Sequence, residues 1–304
     1  MVQISYSEIY KKVKPSIVAI VARLSTNKFF PDIIGTGFLC REDGLVMTNE
    51  HVIKAISKLP RLKSMTPNDW PAMVIYFQLR PDGMLPITIP IVGAFRLGGK
   101  LNGINYGEDL PDVGFLKIPV KDLPKLDIEE IFSMQEGDGI LVSGFPMGTR
   151  TLTAPGWLHQ IGPTLETGII SALIPFPCDR PQGVVLDVMI HGGSSGSPII
   201  NPSNGKVAGL IYGGLTEEKI LNGPNGFMSY ENNTSITVGL PSNVLDMVLK
   251  TVNQAKPDLS DIHMQTLEEF LADKEIKTSI PKVPDTGKPI QADEIIANYN
   301  KSRF

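Results

Sequence analysis

Three short segments carry side chains whose chemistry is incomplete alone: Thr48-Asn-Glu-His51-Val52, Asp112-Val-Gly-Phe-Leu-Lys117 and Gly193-Ser-Ser195-Gly-Ser-Pro198. A serine hydroxyl is a weak nucleophile at neutral pH. It becomes a strong one when an imidazole takes its proton and a carboxylate fixes that imidazole's tautomer and stabilises its cation. The residues occur in the order His, Asp, Ser, 61 and 83 positions apart, so only a tertiary fold can assemble them. Singly, each has a plainer reading, because a histidine after a strand is usually half-buried and a Gly/Ser cluster is usually a turn. Asp109 competes as the carboxylate and Ser194 and Ser197 compete as hydroxyls, while His159, His191 and His263 have no partner pattern.

The elements that must position these groups read mostly as strands. Of 304 residues, 29 are Gly and 25 are Pro, which suits many turns joining short strands. Ser5-x-x-Glu8 is a capping box opening an N-terminal helix. Strand-like runs then cover 16–23, 37–40, 45–48, 73–79, 86–94, 112–118, 139–143, 168–174, 184–190, 198–200 and 206–212, with turn signals at Arg41-Glu-Asp-Gly44 and Arg80-Pro-Asp-Gly83. Almost no helix intervenes, which argues for antiparallel barrels or sandwiches rather than βαβ units. A charged, Pro-interrupted seam near 119–136 separates two β units. Helical spacing returns at 242–254, and again at 262–274 and 291–300 around a Pro-rich connector, 280–289; this tail does not read as an independent domain.

Composition narrows the partners. A net charge of −4 supplies no basic field for nucleic acid or for an anionic membrane. No apolar run approaches a spanning helix, and the N-terminus lacks a signal-peptide pattern, so the expectation is a soluble, cytoplasmic protein. Cys40 and Cys178 form neither a CxxC pair nor a zinc pattern, which fits a reducing compartment and no metal. The sequence shows no oligomeric state.

The flanks of the three segments resemble the chymotrypsin-like serine proteases, and most of all their HtrA (DegP) branch. The likeness covers roughly Val13 to Leu249 and runs through Val13-Lys-Pro-Ser-Ile-Val18, Gly35-Thr-Gly-Phe38, Thr48-Asn-Glu-His-Val52, Gly144-Phe-Pro-Met-Gly148, Thr167-Gly-Ile-Ile-Ser-Ala172 and Gly239-Leu-Pro-Ser-Asn243. The resemblance implies an all-β fold of two antiparallel β-barrels packed face to face, with an N-terminal helix and a C-terminal helical tail. The implied boundaries are 1–14 for the helix, 15–122 and 137–240 for the barrels, 123–136 for the linker, 241–254 for a C-terminal helix and 255–304 for the tail. By the same resemblance Ser195 is the nucleophile, His51 the general base and then acid, and Asp112 the residue orienting His51. The amides of Gly193 and Ser195 form the oxyanion hole. The specificity pocket falls to Met189 and Ile190 at its base and to Ile211, Tyr212, Gly213 and Gly214 on its walls, positions without charge, so cleavage is expected after apolar residues.

The implied function is a cofactor-independent serine endopeptidase acting on protein or peptide substrates. Its rivals are a catalytically silent, protease-like peptide-binding or scaffold module, and an α/β-hydrolase-type esterase. The last is disfavoured because its nucleophile precedes the acid and the histidine along the chain. The sequence departs from the branch in three places: the stretch after Gln254 is too short and too helical for a PDZ domain, the segment between His51 and Asp112 is long, and Thr151–Pro163 reads as an extra loop near the cleft.

Overall fold

The computed structural model describes residues 5–23, 32–81, 83–96, 111–146, 153–154, 158–159, 162–175, 180–223, 226–255 and 262–273. Helix α1 (Tyr6–Val13) begins at the capping box: Ser5 Oγ accepts the Glu8 N–H at 3.2 Å, and Glu8 Oε2 accepts the Ser5 N–H at 3.2 Å. The first half continues with β1 (Ile17–Ala22), β2 (Ile33–Arg41), β3 (Leu45–Thr48), α2 (Glu50–Ser57), β4 (Ala72–Arg80), β5 (Gly83–Pro90), β6 (Gly93–Arg96), β7 (Gly114–Lys117) and β8 (Val120–Lys121). The second half holds β9 (Gly139–Gly144), β10 (Thr153–Ala154), β11 (Leu158–His159), β12 (Thr164–Ile174), β13 (Gly183–Asp187), β14 (Pro198–Ile200), β15 (Val207–Gly223) and β16 (Gly226–Pro241). Helix α3 (Ser242–Ala255), β17 (Gln265–Thr266) and α4 (Leu267–Asp273) follow.

Strands β1 to β7 make one antiparallel sheet in the order β5-β4-β1-β2-β3-β7-β6. Its two edges are joined by only the two residues between Pro90 of β5 and Gly93 of β6, which span at most about 11 Å, so the sheet curls nearly shut. In the second half β12-β13-β16-β15-β14-β9 closes a barrel outright. This is the double-barrel architecture. Edge strand β5 carries Pro86 and Pro90, where a missing N–H costs no ladder bond.

Strand β1 shows how the halves are joined. Alternate residues of a strand point to opposite faces. Ile17, Ala19 and Val21 therefore enter one core, while Val18 and Ile20 enter another. The second core is the interior of the first half. The other unites the halves, mixing Phe38, Phe77 and Phe115 with Leu141, Phe145, Leu210 and Leu245; the Phe77 and Phe145 rings stack with centroids 5.4 Å apart. Burial on both faces explains why β1 reads as an unbroken apolar run rather than an alternating one.

Several expectations need correction. The single strand expected over 86–94 is split between β5 and β6, because the chain crosses there from one sheet edge to the other. Helix α2 was not foreseen; its Val52, Ile53 and Ile56 form a buried stripe under the first sheet. The strand expected to end at 212 runs on to Gly223 and returns as β16 in a long ribbon. The helix expected over 262–274 starts only at Leu267, preceded by β17, which pairs in parallel with β8. Phe270 and Leu271 then enter the core of the first half, so this part of the tail belongs to that fold. In the expected loop 151–163, β10 pairs with β11; apart from 162–163, its other residues, like the helix expected at 291–300, lie outside the described residues. No helix among the described residues is long and apolar enough to cross a membrane.

Candidate active site

Strand β3 ends at Thr48 and α2 begins at Glu50, so His51 stands in the first turn of a helix that leaves the sheet abruptly. Strand β7 pairs with β3, with Gly114 opposite Thr48, and Asp112 lies just before β7. That register delivers the carboxylate to the imidazole. Asp112 Oδ2 lies 2.5 Å from His51 Nδ1, and Oδ1 accepts the His51 backbone N–H at 2.8 Å. Asn49 Nδ2 donates to the Asp112 carbonyl at 2.9 Å, holding the backbone that carries the acid. Were the carboxylate ionised it could only accept, which would put the ring proton on Nδ1 and leave the Nε2 lone pair free. The acid is 13% exposed and the imidazole 45%, so the carboxylate is shielded while the ring stays accessible. Asp109 lies outside the described residues.

The serine segment is a series of fixed peptides. Ser194 N–H donates to the His191 carbonyl at 3.0 Å and Gly193 has φ +99°, which together make a type II turn with Gly193 at its third position. A type I turn there would place the Gly192–Gly193 peptide the other way round, about half a revolution away, and a side chain at Gly193 would favour that alternative. Beyond the turn, Thr36 Oγ1 donates to the Gly193 carbonyl at 2.7 Å, Ser197 N–H to the Ser194 carbonyl at 3.0 Å, and Thr36 N–H to the Ser195 carbonyl at 2.8 Å. Among the described residues, the N–H groups of Gly193 and Ser195 donate to no protein acceptor. Gly196, with φ +85°, fits because a Cβ there would stand 2.1 Å from the Thr36 carbonyl oxygen. Ser194 and Ser197 are buried, whereas Ser195 is half-buried.

The serine segment meets the histidine through β15. Ile211 N–H donates to the Ser197 carbonyl at 2.9 Å and its carbonyl accepts the Gly196 N–H at 3.2 Å. The next residue, Tyr212, sets its ring edge-on to His51 with centroids 6.4 Å apart. Among the described residues no hydrogen bond joins Ser195 Oγ to the imidazole. Catalytic hydrogen bonds are commonly long before substrate binds and tighten afterwards.

The expected pocket residues divide. Met189 and Tyr212 are about half exposed, at 49% and 47%, and Gly213 has open space above its Cα. Ile190 is buried and packs against Gly214. The Ile211 side chain is fully buried in the second barrel, while its backbone N–H and carbonyl bond to Ser197 and Gly196. His191, which has no partner pattern in the sequence, opens the type II turn and stands near enough to Glu166 of β12 to act on it electrostatically. Burial pushes the Glu166 carboxyl above the usual range, with His191 partly opposing. Sequence reasoning missed Thr36 and Asn49 as supports, although both lie inside the segments it singled out.

Residues 35–210 match the trypsin-like peptidase domain family. The chain belongs to that family. A protein of Pseudomonas putida named as a DegP-like periplasmic serine endoprotease is 23% identical over 282 residues, 88% of this chain and 47% of that one. The serine protease HhoB of Synechocystis is 25% identical over 245 residues, 81% of this chain and 47% of the relative. The chain thus spans about half the length of these curated relatives. The solved structure of the HtrA-type protease AlgW with a decapeptide shares its fold, with a TM-score of 0.50 and 17% identity over 83% of this chain and 68% of the other. The relatives named periplasmic lend no support to the cytoplasmic location expected from the sequence.

Proposed function

We propose that this trypsin-like peptidase is a serine endopeptidase with Ser195 as nucleophile. His51 Nε2 takes the Ser195 Oγ proton as Oγ attacks the scissile carbonyl carbon, and Asp112 stabilises the resulting imidazolium. The carbonyl oxygen gains the negative charge and receives the Gly193 and Ser195 N–H groups. His51 then returns the proton to the leaving amine, the C–N bond breaks, and an acyl-enzyme remains on Ser195. Water, deprotonated by the same imidazole, hydrolyses that ester. The observation that carries this reading is the Asp112 carboxylate within hydrogen-bond reach of both the His51 backbone N–H and Nδ1, together with a turn whose Gly193 and Ser195 N–H groups meet no protein acceptor among the described residues.

Substrates are polypeptides with an apolar residue before the cut, since Met189, Ile190, Gly213 and Gly214 offer no partner to a buried charge. The open Ser195–His51 link favours, as a second reading, a peptide-binding module that does not turn over. Incubation with an unfolded protein, with cut sites read by mass spectrometry, separates the two. Fragments formed by the wild type and not by Ser195→Ala support the peptidase; intact substrate with both, despite binding, supports the module.

A further inference from the structure

The second position of the Gly35-Thr-Gly-Phe38 segment does more than continue a strand. Thr36 is fully buried in β2, where it pairs with Ala19 of β1, yet its polar atoms are turned toward the serine segment. Its N–H donates to the Ser195 carbonyl at 2.8 Å and its hydroxyl to the Gly193 carbonyl at 2.7 Å, so one residue holds the carbonyls on both sides of Ser194. The hydroxyl has no freedom to do otherwise. It accepts the Phe145 N–H at 3.1 Å, and among the described residues its single proton is given only to the Gly193 oxygen. The Thr36 carbonyl is itself held by the Thr48 hydroxyl at 2.7 Å, at the end of β3 and three residues before His51.

The segment being held needs such a support. Gly192 and Gly193 are consecutive, a side chain at Gly192 would meet nothing within 4 Å, and neither residue restricts its own φ and ψ. The Gly192–Gly193 peptide, whose N–H faces the developing oxyanion in the mechanism above, is therefore fixed by what its neighbours bond. On one side the His191 carbonyl holds Ser194 N–H; on the other Thr36 holds the Gly193 carbonyl.

We infer that Thr36 is a positioning residue for the reaction. Its hydroxyl anchors the first sheet to the oxyanion turn and keeps the Gly193 N–H aimed at the charge that forms in the transition state. This rests on the proposed function, and the experiment separates the two failures. Thr36→Val keeps shape and removes the hydroxyl; Thr36→Ser restores it; Thr36→Ala stands in for Val should that variant not fold. Each is measured for kcat and KM on one peptide substrate, per active site titrated with a fluorophosphonate, and for affinity toward a peptide aldehyde, which forms the tetrahedral adduct, and toward the cleaved product peptide, which does not.

The expected result is a fall in kcat of roughly 10–10²-fold for Val, less than the ~10²–10³ seen when a donor is deleted outright. KM and product affinity stay within about threefold, aldehyde affinity falls in step with kcat, and Ser stays within about threefold of wild type. A merely structural role would lower the melting temperature and the titratable fraction while leaving kcat per site unchanged. That outcome, or a serine variant as impaired as valine, overturns the inference. A wild type that neither labels nor turns over overturns the function beneath it.

Discussion

Replacing Asp112 by Asn tests the geometry of the acid at nearly constant volume. Oδ1 accepts the His51 backbone N–H at 2.8 Å and Oδ2 stands 2.5 Å from Nδ1. An amide has one oxygen for two donors. If that oxygen stays with the backbone N–H, the new NH2 faces Nδ1, which must then accept, and the ring proton moves to Nε2, where it blocks removal of the Ser195 proton. If the amide flips to serve Nδ1, its NH2 confronts the backbone N–H and that solvent-exposed hydrogen bond is lost at a cost of about 0.5–1.5 kcal/mol. The flipped, competent form is then about 2–13 times rarer by the conversion of 1.36 kcal/mol per tenfold. It also lacks the negative charge that stabilises the imidazolium. The two losses together put kcat down by about 10⁴, the fall found when this acid is neutralised in a Ser-His-Asp triad. The assay is kcat on a chromogenic peptide at constant protein concentration, with KM and the melting temperature as controls. An Asn variant within tenfold of wild type would refute the claim that Asp112 sets the tautomer of His51.

Phe270→Ala should lower unfolding free energy by about 3–5 kcal/mol, read as a fall in the urea midpoint, because the ring is 2% exposed in the core of the first half. A loss under 1 kcal/mol would show that α4 does not belong to that core. Glu166→Gln tests a half-buried carboxyl whose folded pKa is raised by desolvation, with His191 partly opposing. The folded state holds this proton more tightly than the unfolded chain, so rising pH above the ordinary carboxylate range draws stability away. The Gln variant should therefore melt higher than wild type near pH 7, with the gap closing as pH falls below that range. A gap independent of pH would contradict the assignment.

What could be read before the structure follows from which signals are local. His51, Asp112 and Ser195 were legible because their segments carry a recurring pattern, and β1 was legible because burial on both faces leaves an unbroken apolar run. Helix α2 left a readable stripe in Val52, Ile53 and Ile56, but its eight residues were masked by the strand that precedes them. The ribbon of β15 and β16 was not legible. Thr216, Glu217, Glu218 and Lys219 show none of the apolar alternation that a core imposes, and Glu218 and Ile220 stand exposed. Ile211 was assigned to a pocket wall, whereas its side chain faces the barrel interior and the strand's register shifts just after it, between Ile211 and Gly213. The role of Thr36 lay furthest from reach, because its hydroxyl meets a carbonyl 157 residues away in the chain.

The claim on which the account rests is that His51 and Asp112 make the Ser195 hydroxyl a nucleophile. The most direct measurement is labelling of the folded protein by a fluorophosphonate, with the modified residue located by peptide mass spectrometry. The account predicts a single adduct on Ser195 in the wild type, none in Ser195→Ala, and strongly slowed labelling in His51→Ala. An unlabelled wild type that is folded, or an adduct on Ser194 or Ser197 in its place, would contradict it.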